Sequence, residues 1–302
     1  MTEYIKQKGQ PVLRVEELNI RFSGAPKAIV EDGCFEVKSG EIVLIVGDNG
    51  SGKSSVFRAL VRDNSLGFLE KLLFAIKRLL GQAKKTEKPV NSCRMSFINR
   101  ESGQLEEVKT QEELDRFRAS IGYTKQEDDE DSLLLRNVES YVTDYVRYSE
   151  YCQDWGTAQK NFEETFHELH CETYANGNLK KRRLRVCSGG EKRMVAILSA
   201  LSRKGSDLYI MDEPINNLDG DHARLLNDYL IDLKNQPNAP GILIITHCRM
   251  FQNVDRVYVL KDGCIYEENE LIKIDPSYSK YEAQCCYGIC DKFGKYLKKE
   301  KK

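Results

Sequence analysis

Three short runs of consecutive apolar residues punctuate this chain: Glu41-Ile-Val-Leu-Ile-Val46, Leu208-Tyr-Ile-Met211 and Gly241-Ile-Leu-Ile-Ile-Thr246. None alternates with polar positions. Short unbroken β-branched runs predict strands covered on both faces, as in a parallel sheet flanked by helices. Between them the pattern turns helical. Leu69, Leu72, Leu73, Ile76, Leu79 and Leu80 recur at helical spacing with Glu70, Lys71, Lys77 and Arg78 on the other side, which predicts an amphipathic helix inside an insertion at 64–91. Met194 to Ser202 reads as a further helix, and Pro11 to about Val37 as a β-rich N-terminal part.

The residues just after each apolar run carry chemistry. The first run empties into Gly47-Asp48-Asn49-Gly50-Ser51-Gly52-Lys53-Ser54 and then Ser55-Val-Phe-Arg-Ala-Leu60, a helix start. The loop fits G-x-x-x-x-G-K-[ST] in the order strand, loop, helix that a phosphate cradle requires. Its glycines let backbone N–H groups turn inward on phosphate oxygens, and the helix adds its positive end. Lys53 is expected to reach the β- and γ-phosphates of a nucleotide, and Ser54 to offer its hydroxyl to Mg²⁺.

The second run ends in Asp212-Glu213-Pro214 and the third in His247, all expected at the strand ends where open α/β sheets bind ligands. Asp212 is read as a Mg²⁺ ligand, Glu213 as the general base for an attacking water, and His247 as a group that holds water and base in line. Taken singly, an acid pair after a strand is as well explained by structure, and a histidine there is more often structural than catalytic. Between the second and third runs lies the polar turn Asn216-Asn217-Leu218-Asp219.

Ahead of the acid pair stands Cys187-Ser188-Gly189-Gly190-Glu191-Lys192-Arg193. With this segment in place, residues 11 to 266 resemble the ATP-binding cassette family. The family's signature has an apolar residue before Ser-Gly-Gly and Gln after it; here Cys187 and Glu191 occupy those places. The resemblance implies that Ser188, Gly189, Gly190 and Glu191 bind the γ-phosphate held by another protomer, so that ATP is sandwiched in a homodimer or a heterodimer of related cassettes. It makes Gln126, in Ile121-Gly-Tyr-Thr-Lys-Gln126, the Q-loop glutamine near Mg²⁺ and the reacting phosphate. Asn217 to Asp219 become the D-loop, His247 the switch histidine, and Phe22 the aromatic that stacks on adenine.

The fold so implied is an α/β P-loop cassette: a β-rich N-terminal part, a RecA-like core and a helical subdomain at about 127–201, within a domain spanning 1–266, with a tail at 267–302. The activity implied is Mg-ATP hydrolysis as a transporter's ATPase subunit, driving a transmembrane permease. A non-transporter cassette ATPase acting on nucleic acid or a protein assembly is the alternative.

Composition adds limits. Lys plus Arg number 46 against 47 Asp plus Glu, a net charge of −1, so nothing global draws the chain to nucleic acid, which is not an expected partner. No apolar run is long enough to span a bilayer, so a soluble cytoplasmic chain is expected, held at the membrane's inner face through a partner. Ten cysteines without a signal peptide read as reduced thiols. Lys180 to Arg185 reads as a solvated basic face, and His167, His170 and Cys171 as helix surface rather than a metal site.

Overall fold

The computed structural model describes residues 7–22, 27–61, 89–124, 136–150, 152, 154–247 and 250–275. The amphipathic stretch at 66–80, Gln126 and the cysteines of the C-terminal stretch lie outside them, as does the side chain of Phe22. In chain order the elements are β1 (Pro11–Phe22), β2 (Val30–Lys38), β3 (Ile42–Gly47), α1 (Lys53–Val61), β4 (Pro89–Asn99) and β5 (Gln104–Glu107). Then come α2 (Gln111–Ser120), β6 (Ile121–Thr124), α3 (Val138–Arg147) and α4 (Trp155–Glu168). Three short 3₁₀ turns (Cys171–Gly177, Leu179–Lys181, Leu184–Val186) lead to α5 (Gly189–Leu201) and β7 (Leu208–Asp212). The remainder is α6 (Gly220–Lys234), β8 (Gly241–Thr246), β9 (Arg256–Lys261), β10 (Cys264–Glu267) and α7 (Glu268–Ile274).

The three apolar runs are neighbours in one six-stranded sheet, ordered β10-β9-β3-β8-β7-β6, in which every pairing except β10 with β9 is parallel. Their alternate residues part to two cores. Ile42, Leu44 and Val46 of β3 join Ile242 and Ile244 of β8 and the apolar faces of α3, α4, α5 and α6. Val43 and Ile45 join Leu243 and Ile245, α1, α2 and the N-terminal sheet on the other side. A strand buried on both faces has no polar face to alternate with, which is why these runs are unbroken.

The N-terminal β-rich part is larger than the sequence pattern predicts. β1 pairs antiparallel with β2, and β4 returns from beyond the insertion to pair with the other edge of β1, giving the order β2-β1-β4-β5. Both ladders of β1 slip around Glu17, whose φ of 52 marks a bulge. Burial also continues past residue 266: Leu271 of α7 is 2% exposed and packs in the helical-side core. Among the described residues no helix is long and apolar enough to cross a membrane.

Candidate nucleotide site

Because β3, β8 and β7 run parallel and adjacent, their C-terminal ends deliver the P-loop, His247 and the Asp212–Glu213 pair to one edge. Asp48, Asn49 and Gly50 are exposed there, while Lys53 is 6% exposed. The Lys53 ammonium donates to the carbonyl oxygens of Gly47 and Asp48, each at 2.8 Å, so the cation is held inside the loop it serves. Gly52 has φ +105, and a Cβ there would overlap Cγ2 of Ile29; no other residue suits that turn. The hydroxyl of Ser51 is buried without a hydrogen-bond partner.

Asp212 ends β7 at 2% exposure. One carboxylate oxygen takes a hydrogen bond from the Ser54 hydroxyl, while Oδ1 is buried with no partner. Burial pushes its pKa from 3.8 up to about 6; the Glu213 carboxylate adds to this, and Ser54, Arg193 and Lys53 oppose it. A buried, half-satisfied carboxylate beside a serine hydroxyl is costly as it stands and suits a hard divalent cation.

Glu213, 3% exposed, leaves the strand in the left-handed region with φ 49 while its N–H still donates to Ile245 O at 2.8 Å. Non-glycine residues rarely hold that conformation without surrounding constraint, and such strain concentrates at functional sites. Its carboxylate is gripped twice: Thr246 Oγ1 donates to Oε2 at 3.1 Å, and His247 Nδ1 lies 2.7 Å from Oε1. The carboxylate–imidazole pair predicted from two separate strand ends is thus one unit, with Thr246 as a third member that an apolar-run reading passes over.

Ser188 and Gly189 are exposed at the start of α5. The Ser188 hydroxyl accepts from the Glu191 N–H at 3.3 Å and the Ser188 N–H donates to Glu191 Oε2 at 2.6 Å, a reciprocal capping box. The turn at 216–219 lies against it: a Cβ on Gly190 would stand 2.7 Å from the backbone oxygen of Asn217. Asn217 itself has φ 64.

Asp219 caps α6, accepting from the His222 N–H at 2.9 Å, and both its carboxylate oxygens lie 2.8 Å from His222 Nδ1. Burial raises its pKa, but the backbone and ring donors of His222 outweigh that and leave it below the usual carboxylate range. His222 Nε2 in turn meets Thr173 Oγ1 at 2.9 Å, tying the start of α6 to the 3₁₀ turn at Cys171–Gly177. The basic stretch is partly spent inside the protein: Lys180 pairs with Glu163 and sits over the Phe166 ring, and Arg182 pairs with Glu191. Lys181, Arg183 and Arg185 remain exposed. His167 is exposed at the end of α4, beside Glu172.

A glycine-rich loop between a buried strand and a helix, an acid pair on the next strand but one, and a serine-capped helix bearing Ser-Gly-Gly define an α/β P-loop fold of the ATP-binding cassette type. The chain belongs to the RecF/RecN/SMC N terminal domain family, whose model matches residues 34–265.

Among curated relatives, the phosphonates import ATP-binding protein PhnC 1 of Pseudomonas aeruginosa is 27% identical over 248 residues, 78% of this chain and 75% of that protein. An ATP-binding protein assigned to an ABC transporter in Bifidobacterium longum is 27% identical over 253 residues, 82% of this chain but 28% of the relative. A Treponema denticola counterpart is matched over 46% of its length. The chain thus spans less than half of these last two proteins.

Of solved structures, CbiO1 of Clostridium perfringens, part of the transporter complex CbiONQ, superposes with TM-score 0.59 at 21% identity, covering 97% of this chain and 100% of that one. A dimeric bacterial ABC transporter cassette superposes with TM-score 0.64 at 18% identity, over 85% and 97% of the two chains.

Proposed function

We propose that this chain binds Mg-ATP at the shared edge of β3, β8 and β7 and hydrolyses it as one half of a pair of cassettes, driving a transmembrane permease as a transporter's ATPase subunit. One observation carries the hydrolytic part. Glu213 is buried, turned out of its strand in the left-handed region, and aligned by Thr246 and His247, beside an Asp212 that retains an unpaired oxygen.

Each side chain then has a task. Lys53 exchanges its two carbonyl acceptors for phosphate oxygens, a charge-assisted bond that the surrounding amides support. Ser54, Asp212 and Gln126 would hold Mg²⁺, which offsets charge on the phosphates. Glu213 accepts the proton of the attacking water, and His247 keeps the carboxylate in the productive rotamer. Phe22 is assigned to the adenine. Ser188 and Gly189, exposed at the N-terminus of α5, and the half-buried Gly190 are assigned to the partner's γ-phosphate, and Asp219 to ATP binding from the adjoining turn.

Transport is the reading that the names of PhnC and CbiONQ favour. The second reading is a non-transporter cassette ATPase acting on nucleic acid or a protein assembly. Copurification from native membranes separates them: a multispan protein supports the first, bound nucleic acid the second.

The hydrolytic assignment is tested by Glu213→Gln. It should keep ATP binding while steady-state turnover falls by about a hundredfold or more, the usual scale for losing a placed proton acceptor. Normal turnover in that variant removes Glu213 from the role of base.

A further inference from the structure

The signature helix of this chain carries a carboxylate where its family resemblance expects an amide, and the side chains around Glu191 show how that charge is accommodated. Three residues into a helix a carboxylate suits the positive end of the helix. For an incoming phosphate it is the wrong sign. Glu191 is 6% exposed, so water screens it poorly. Both its oxygens are engaged: Oε2 by the Ser188 N–H at 2.6 Å, and Oε1 by Nη1 of Arg182 at 2.6 Å.

Arg182 is delivered to that place by backbone. Its carbonyl oxygen accepts from the Val138 N–H at 3.0 Å, Arg183 bridges Asn137, and the Leu184 N–H donates to Arg136 O at 3.0 Å. A short antiparallel seam therefore clamps the residues before the signature onto the start of α3.

We infer that Arg182 is a positioning residue for ATP. It cancels the charge of Glu191 while leaving that carboxylate free to hold the Ser188 N–H in its cap, so the Gly189 and Gly190 amides meet an anion without a bare negative charge behind them. The inference rests on the assignment of Ser188–Gly190 to nucleotide under the proposed function.

The charges give the test a sign that packing alone does not. Arg182→Gln uncovers the Glu191 carboxylate and should raise the half-saturating ATP concentration by roughly five- to tenfold at low salt, less at high salt, with saturated turnover changing far less. Glu191→Gln keeps a capping side chain but leaves Arg182 uncancelled, and should shift half-saturation the other way. The double variant should recover most of the loss seen in Arg182→Gln. Arg182→Lys, which keeps the charge, should stay within about twofold of the parent.

Should Arg182→Gln not fold, the opposite shifts of Glu191→Gln and a neutral Arg182→Met still read the same balance. Half-saturation that rises in both single variants and adds in the double overturns the inference, as does no shift in either. Ser188→Arg separates the two levels. If it leaves turnover intact, the nucleotide assignment fails; if it abolishes turnover while the Arg182 and Glu191 variants show no compensation, this inference alone fails.

Discussion

Two helix N-termini in this protein are assigned to phosphate under the proposed function, and they are built in opposite ways. At α1 the polar groups around the loop are underpaired: the Ser51 hydroxyl and Asp212 Oδ1 are buried without partners, and Lys53 is turned onto the loop's own carbonyl oxygens. At α5 the capping side chains are paired within the protomer, Ser188 with Glu191 and Glu191 with Arg182. Buried polar groups left unpaired cost stability that only a ligand returns. The difference teaches that the first terminus leaves side chains unsatisfied until something binds, whereas the second has its capping side chains satisfied before anything arrives.

Removing the cation at the first terminus should have the largest effect. Lys53→Ala is expected to weaken ATP binding by about a hundredfold, since a charge-assisted contact is lost from a site where water competes poorly. Equilibrium binding of a fluorescent ATP analogue measures it. Affinity within about threefold of the parent would contradict the role given to Lys53.

The next effect comes from Asp212. Its pKa in the folded protein, about 6, lies above its ordinary 3.8, so the folded state holds the proton more tightly than the unfolded state does. The resulting penalty is absent below pH 4, grows as pH rises from about 4 to 6, and is complete above. About two pKa units correspond to about 3 kcal/mol. Asp212→Asn should therefore raise Tm in the absence of nucleotide at pH 7.5, with the gain shrinking toward pH 4. A variant less stable than the parent at pH 7.5 would show that Asp212 is already satisfied.

The same contrast explains what was legible in the sequence. The P-loop, the acid pair, His247 and Ser188–Gly190 were readable because each sits at the end of an uninterrupted apolar run or ahead of a helical one, and parallel topology brings such ends together. The continuation of the N-terminal sheet was not, because β4 pairs with β1 across the insertion and its partner cannot be read from local pattern. The helix α2 did leave a signal, Thr110 with Glu113 in a capping box, as did the short apolar core of β9.

Among site residues, Thr246, His222 and Arg182 were missed for one reason. Each acts through a hydrogen bond to a residue far along the chain or on another turn, and nothing in its own neighbourhood announces the partner. The departure from the family at Glu191 was visible; that Arg182 answers it was not.

The smallest effect is the one that separates the two termini most cleanly, because it compares the same truncation at two serines. Ser51 holds a buried hydroxyl with no partner, so Ser51→Ala removes an unmet desolvation cost and should leave stability without nucleotide unchanged or slightly raised. Ser188 caps α5 and accepts from Glu191, so Ser188→Ala should cost about 1 kcal/mol of stability, the usual loss for a serine cap. Binding should rank the other way within a single protomer: the Ser51 variant loses ATP affinity because its hydroxyl was waiting for phosphate, while the Ser188 variant at dilutions where pairs do not form binds as the parent does. Denaturant unfolding and nucleotide titration on the same two proteins supply both readings. If Ser51→Ala destabilises the fold as much as Ser188→Ala does, the Ser51 hydroxyl has a partner within the protein, and the contrast between an unsatisfied and a completed terminus does not hold.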